Sequence, residues 1–271
     1  MNDKKVTMDY LKVSNMQIDE DASTQVSKND NEKNMLEQEL MLGQEATTEA
    51  FAQPSEQIIE DRAMGCILGA VTADACGSFL EFKTGISQVK MNECMEMPGG
   101  GMYFPNIGAG QGTDDSEMAT CLMNALIQSN LYKKEGVASI NTEQIGLGYR
   151  EWAYSSPFDM GNTIRTAFAP FEEKVNTDFT KRVYAQVEKK NQNSMSNGAL
   201  MRITPMAVWA SNLGLEDFKN AIVSDVQFTH SNEMVKRAVL AYSVGIKYLL
   251  NNAAEKDRAK KCFEFVKDFS K

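Results

Sequence analysis

The sequence predicts an all-α domain carried behind an acidic tail, and three observations predict it. Apolar residues recur at spacings of three and four in several separate stretches, no convincing run of alternating strand residues occurs, and residues 1 to about 50 are too polar to build a core. A length of 271 residues suits one domain plus that tail.

Residues 1–55 are rich in Asn, Asp, Glu, Gln, Lys and Met and have no apolar period. They read as a disordered or loosely helical tail that contributes nothing to folding. The domain is expected to occupy residues 56–271. Its first helix is marked by Ile58, Ile59, Ala63, Met64, Ile67, Leu68 and Val71, an amphipathic spacing. Gly65, Gly69, Ala70, Ala73, Ala75 and Gly77 run through the same stretch at some cost in helix propensity. Small residues on that scale predict close packing against a neighbouring backbone. Helical spacing returns in 115–130, 142–154, around 180–190 and in 232–250, where Val235, Ala238, Val239, Tyr242, Ile246 and Leu249 share a face. Long loops are expected at about 83–113, 155–178 and 189–204, and no internal repeat is present.

The formal charge of −9 is unevenly spread: residues 1–61 hold 14 Asp and Glu against 5 Lys, and residues 62–271 hold 23 of each sign. The near-neutral body has no basic face to neutralise a phosphate backbone, which argues against generic nucleic-acid binding. A small phosphate-bearing ligand remains compatible. The five cysteines, Cys66, Cys76, Cys94, Cys121 and Cys262, form no CxxC pair and stand at no zinc spacing to histidine. Reduced thiols, the absence of an apolar leader and the absence of a run of about 18 apolar residues lead to an expected intracellular, cytoplasmic protein that does not span a membrane.

Polar, glycine-bearing segments fall repeatedly at helix starts. In "GAGQGTDDSEM", Thr113 or Asp114 can cap a helix with Glu117 completing a capping box. The same Asp114 and Asp115, joined by a hydroxyl, could supply part of a metal shell. "TADACGSFLEF" offers Asp74 and Glu81 in an apolar setting, where a helix-end or surface carboxylate is the plainer reading. "SSPFDMGNTIRTAF" places Asp159, Gly161, Asn162 and Thr163 in a turn leading into a helix, and "NSMSNGALMRITPMA" puts Ser194, Ser196, Asn197 and Gly198 ahead of an apolar stretch. Turn chemistry explains both locally, and both could also present N–H groups to an anion. The single histidine, His230, sits just ahead of the last strongly periodic helix. Together these turns read as one pocket assembled from the ends of bundle helices.

The order of these motifs, D-A-C-G-S-F-L-E-F, then G-Q-G-T-D-D-S-E-M, then W-A-Y-S-S-P-F-D-M-G-N-T, then S-N-G-A-L-M-R-I-T-P, then T-H, resembles the ADP-ribosylglycohydrolase family over residues 60 to 250. The resemblance implies a compact orthogonal multi-helix bundle with a magnesium site, two ions being usual in the family. The implied function is hydrolysis of the glycosidic bond between ADP-ribose and an acceptor, a protein side chain or small molecule, so that ADP-ribose conjugates are the partners and ADP-ribosylation is reversed. Thr113, Asp114 and Asp115 match the family's metal-ligand triplet. Glu81 matches its acidic residue at the metal, and Glu81 with Asp114 are the implied catalytic carboxylates. Asp159, Gly161, Asn162 and Thr163 match the loop beside the distal ribose and phosphates. Ser194, Ser196, Asn197 and Gly198 match the loop along the diphosphate, and His230 a ligand-side histidine. Two departures stand out. Ala73 replaces the usual glycine, and no G-D-x-D-[ST] segment follows, since Asp268 in "KCFEFVKDFSK" lacks that context. The expectation is therefore a C-terminally truncated domain whose second metal shell is open, with turnover near background. The alternative is an inactive ADP-ribose-binding or scaffold member of the same fold.

Overall fold

The computed structural model describes residues 56–101, 105–131, 140–171, 178–252 and 255–270. All lie in the unit Thr47–Lys271, and the expected acidic tail, residues 1–55, lies outside the described residues. The described chain is helical throughout: α1 (Glu56–Ser78), α2 (Gln88–Cys94), α3 (Asp114–Leu131), α4 (Thr142–Ala153), α5 (Asn162–Phe168), α6 (Phe179–Lys190), α7 (Thr204–Trp209), α8 (Leu215–Val226), α9 (Glu233–Asn251) and α10 (Arg258–Phe269). No strand occurs among the described residues. Side-chain caps open two of the longer helices. Asn141 accepts from the Gln144 N–H at the start of α4, and Asn232 from the Met234 N–H at the start of α9.

The core is built where α3 packs on α4, α6 on α4 and α5, and α9 on α7, α8 and α10. Met118 and Leu122 of α3, Ile145 and Tyr149 of α4, Phe179 and Val183 of α6 and Phe218 and Ile222 of α8 are all but inaccessible. Phe228 sits edge-on between Tyr149 and Tyr184, with ring centroids 5.8 and 5.1 Å away. Helix α4 can come this close because of Gly146, where a methyl group would lie 2.6 Å from the Phe228 ring.

The interior also holds a charge. Arg202 and Asp225 are both fully buried, with Nε 3.1 Å from Oδ2. Tyr149 donates to the other carboxylate oxygen at 2.6 Å, so each oxygen of Asp225 is answered. Arg202 Nη2 donates to the Asp225 carbonyl at 2.9 Å, and Nη1 donates to the Gly198 carbonyl at 2.6 Å and to Thr229 Oγ1 at 2.9 Å. One guanidinium thus ties the end of α8 to the loops on either side.

The expected helices at 115–130, 142–154, 180–190 and 232–250 are present, and the structure departs from expectation elsewhere. Helices α2 and α5 interrupt the expected loops at 83–113 and 155–178, since seven residues are too few to display a period. On α9 the buried stripe is Val235, Val239, Ser243, Ile246 and Leu250, whereas Ala238 and Tyr242, expected on that face, are exposed. The largest departure is α1. Met64 is 59% and Leu68 55% exposed, only Ala75 and Ser78 of this helix are buried, and a methyl group added at Gly65, Gly69 or Gly77 would touch nothing within 4 Å among the described residues. Periodicity reports that a helix has an apolar face; it does not supply a partner for that face.

Removing one member of a buried pair leaves the other uncompensated, at a cost of about 3–5 kcal/mol. Arg202→Met should therefore lower the denaturant-derived unfolding free energy by that order. Lys236→Ala, which breaks the surface pair with Glu233, should change it by less than about 0.5 kcal/mol. Equal effects of the two substitutions would contradict this account.

Candidate functional site

The site begins at the start of α3. Thr113 precedes the helix, but the groups that satisfy its free N–H donors come from α1. Asp74 Oδ2 accepts from the Thr113 N–H at 2.7 Å and from the Ser116 N–H at 3.2 Å, and the two hydroxyls donate to the same carboxylate, Thr113 Oγ1 to Oδ1 at 2.6 Å and Ser116 Oγ to Oδ2 at 2.5 Å. An anion at this position answers both the unpaired N–H groups and the positive end of the helix dipole. The approach requires Gly112, where a methyl group would stand 2.7 Å from Ser116 Cβ and 3.0 Å from the Asp74 carboxylate. This corrects two expectations. Asp74 is no surface carboxylate, and no capping box closes through Glu117, whose carboxylate accepts from Trp152 Nε1 at 2.7 Å.

With Asp74 taking the helix donors, Asp114 and Asp115 form an acidic group with Glu81 and Asp159. Glu81 leaves α1 through two turns, Leu80 N–H to the Gly77 carbonyl and Lys83 N–H to the Leu80 carbonyl. The next residue, Phe82, takes φ +60°, a left-handed conformation unusual for a bulky side chain. Burial, then Asp115, Asp159 and Asp74, raise the Asp114 carboxyl to about 7, and burial, Asp74 and Glu81 raise Asp115 to about 6. Glu81 is pushed up by its cleft wall, with Asp159, Asp114 and Asp74 adding to it. A cleft of about 590 Å³ joins Asp74, Glu81, Thr113, Asp115 and Ser116 to Asn197 on the opposite loop. Its lining contains no Lys, Arg or His.

The donor set fits a hard divalent cation in type and charge. Every candidate ligand is an oxygen, and burial first, then the neighbouring carboxylates, push the proton affinities of Glu81, Asp114 and Asp115 upward. Thr113 spends its proton on Asp74, which leaves its lone pairs free to coordinate. Among the described residues no three His, Cys, Asp or Glu side chains close into a metal-holding group, so the fit rests on the Thr113 hydroxyl together with the carboxylates. Asp268 lies on α10 and is not among the cleft-lining residues.

The second half of the site is a hydroxyl cluster. Thr163 Oγ1 lies 2.7 Å from Ser194 Oγ and 3.1 Å from Ser196 Oγ, and Ser196 Oγ lies 3.0 Å from His230 Nε2. His230 is fully buried and meets the loop through Ser196. Its ring is held at about 4, below the usual histidine range, by burial and by the nearby Arg202 charge. Asn191 donates to the carbonyls of Thr163 and Thr229, both at 2.9 Å, and so fixes the start of α5 against the segment before α9. Gly161 and Asn162 open α5 and are exposed, and Asp159 accepts from the Met160 N–H at 2.7 Å. Gly198 is buried against Ile164 and His230, and its carbonyl is taken by Arg202. The structure therefore gathers Thr163, Ser194, Ser196 and His230 into one cluster and sets Glu81, Asp114, Asp115 and Asp159 within electrostatic reach of one another. Glu81, Asp115 and Asn197 line the cleft, and Asp114 and Asp159 lie outside its lining. Asn191, Arg202 and Thr229 were missed by sequence reasoning, and Asp74 was noticed without its role at the start of α3. A polar residue inside an otherwise apolar run, as in T-A-D-A-C and A-L-M-R-I, was the available signal.

A family model described as ADP-ribosylglycohydrolase matches residues 55–269. A protein of Acanthamoeba polyphaga mimivirus named as an ADP-ribosyl glycohydrolase is 29% identical over 69% of this chain and 54% of its own. The ADP-ribosyl-[dinitrogen reductase] glycohydrolase of Rhodospirillum rubrum is 28% identical over 73% of this chain and 61% of its own. The chain thus spans little more than half the length of these curated relatives. A solved chain described as an ADP-ribosylglycohydrolase-related protein complex superposes with a TM-score of 0.54 at 22% identity, over 72% of this chain and 58% of that one, a likeness of fold.

Two predictions follow from the geometry. Asp74→Ala removes four hydrogen bonds to one carboxylate and should lower stability by about 2–4 kcal/mol in urea unfolding; a loss under about 0.5 kcal/mol would mean that the cap is idle. The second concerns pH. The folded state holds the Asp114 and Asp115 protons more tightly than the unfolded chain, so their contribution is greatest below about pH 4 and is lost as pH rises through about 6 to 7. Asp114→Asn should flatten this part of the metal-free melting-temperature profile, leave the metal-free protein no less stable at pH 8, and weaken Mg²⁺ or Mn²⁺ binding.

Proposed function

The chain belongs to the ADP-ribosylglycohydrolase family, and from that premise we propose that it is a magnesium-dependent hydrolase that cleaves the glycosidic bond between ADP-ribose and an acceptor, reversing ADP-ribosylation. The observation that carries this reading is the cleft that Glu81, Thr113 and Asp115 line together with Asn197 of the second loop. Thr113, Asp114, Asp115 and Glu81 are the residues that would hold Mg²⁺, and the bound ion would supply the positive charge that fixes the ribose hydroxyls. Glu81 would take a proton from the attacking water as the water oxygen bonds to the anomeric carbon and the bond to the acceptor breaks. That proton would pass to the departing acceptor, returning Glu81 to its ionised form.

At the other end the ligand meets neutral donors. Thr163, Ser194, Ser196 and Asn197 offer hydroxyl and amide groups to ribose and diphosphate oxygens. No basic side chain is required, in keeping with the balanced charge of residues 62–271. A cytoplasmic location goes with this reading. It is supported by five free cysteines and by the absence, among the described residues, of a helix long and apolar enough to cross a membrane.

Turnover on a panel of conjugates, ADP-ribosylated on arginine, serine and small-molecule acceptors, with Mg²⁺ present, tests the proposal. Glu81→Gln should reduce any turnover by roughly 10²–10⁴. ADP-ribose binding without turnover on any acceptor would instead identify a binding protein, and unchanged turnover in the Glu81 variant would remove it from the mechanism.

A further inference from the structure

Arg202 is absent from the chemistry above, yet it stands at the head of the hydrogen-bonded groups that lead to the second loop. A guanidinium only donates, and a hydroxyl has one proton to give. Where a buried hydroxyl has an arginine and one other group in reach, its proton must go to that other group or stay unpaired. Arg202 Nη1 donates to Thr229 Oγ1 at 2.9 Å, which leaves the Thr229 proton for His230 Nδ1, also at 2.9 Å. With Nδ1 accepting, the neutral imidazole carries its proton on Nε2, which donates to Ser196 Oγ at 3.0 Å. Ser196 passes its own proton to Thr163 Oγ1 at 3.1 Å, and Thr163 donates to Ser194 Oγ at 2.7 Å. The Ser194 proton is left with Ser196 Oγ at 3.5 Å, a contact at the outer limit of a hydrogen bond. Ser194 is half-buried and Ser196 and Asn197 are exposed, so this end of the chain meets solvent at the second loop.

We infer that Arg202 is a positioning residue that sets the direction of the chain through Thr229, His230, Ser196 and Thr163, so that Ser194 presents a proton to an acceptor-only group on the ligand. In the reading given above that group is a phosphate oxygen. The identity of the ligand rests on that reading, whereas the direction of the chain does not. The arrangement favours an acceptor such as an oxyanion over a donor-only ammonium group without placing any charge at the surface. Reversal would have Nδ1–H donate to Thr229 Oγ1, and the buried Thr229 proton would then have no acceptor, because the other group on that oxygen is the donor-only guanidinium. The low proton affinity of His230 fits the same scheme, because a protonated ring would have no acceptor for Thr229.

The protein has a single histidine, so imidazole ¹⁵N spectra of the full chain report its tautomer without assignment. The expected wild-type state is Nε2–H. Thr229→Val keeps the volume and deletes the link, and should shift the ring toward Nδ1–H and weaken ADP-ribose binding, measured by calorimetry, by about tenfold, the worth of one oriented hydrogen bond. Thr229→Ser should restore both, which a purely steric role for Thr229 would not predict. An Nδ1–H ring in the wild type overturns the inference, as does a Thr229→Val protein with unchanged tautomer and affinity. If Thr229→Val fails to fold, the wild-type tautomer still decides. An Nε2–H ring in a protein that binds neither ADP-ribose nor inorganic diphosphate supports the direction of the chain and overturns the ADP-ribose reading instead.

Discussion

A guanidinium with no access to water must have its N–H groups answered inside the protein, and much of this structure is arranged around that demand. Arg202 draws on a carboxylate and a carbonyl at the end of α8, on the Gly198 carbonyl within its own loop, and on the Thr229 hydroxyl beyond α8. Burying the pair costs several kcal/mol of desolvation per ion, so stability alone gives little reason to keep it. The return is register. The loop at 191–203 and the segment at 227–232 cannot slide past one another without stranding a donor, and Asn191 extends the same constraint to the start of α5. Three segments far apart in sequence are thereby held in one arrangement where the hydroxyl cluster forms.

The acidic half of the cleft reflects a different balance. A helix N-terminus favours carboxylates by about 0.3–1 kcal/mol each, and Asp114 and Asp115 stand in the first turn of α3. Their proton affinities nevertheless rise. Asp74 already occupies the best anion position, bound to the N–H groups of Thr113 and Ser116. The two following carboxylates therefore feel burial and repulsion more than they feel the dipole. A helix start that would ordinarily repel a cation becomes, with Asp74 in place, a site with surplus negative charge.

How much of this could be read in advance depends on distance along the chain. Long helices with a strong period, such as Thr142–Ala153 and Glu233–Asn251, were legible because their signal is local. The T-D-D triplet and the serine-rich loop were legible as motifs. The role of Asp74 was not, because its partners lie 39 and 42 positions away and nothing nearby specifies them. Arg202, in A-L-M-R-I-T-P, looks like a charge at the end of an apolar run, and only the fold brings Asp225 to it. Helix α1 shows the converse error. Its apolar period is real, but Met64 and Leu68 remain exposed among the described residues because burial is a property of two surfaces.

The placement of positive charge ties the two halves together. A lysine or arginine lining the cleft could bind a diphosphate, but it would also reach Asp114 and Asp115 and occupy the place of a cation. The cleft lining has no basic side chain, and the nearby guanidinium of Arg202 is locked to Asp225 beneath the loop. Its influence reaches the surface as the orientation of hydroxyl protons rather than as charge. His230 follows the same logic: a ring that stays neutral down to about pH 4 can serve as a directional donor without adding a cation that would compete for the carboxylates. The cleft thus keeps its negative charge, and the hydroxyl cluster of Thr163, Ser194 and Ser196, which is not among the cleft-lining residues, stays neutral. On the function proposed above, a body with equal numbers of acidic and basic residues would therefore suffice for a doubly anionic ligand.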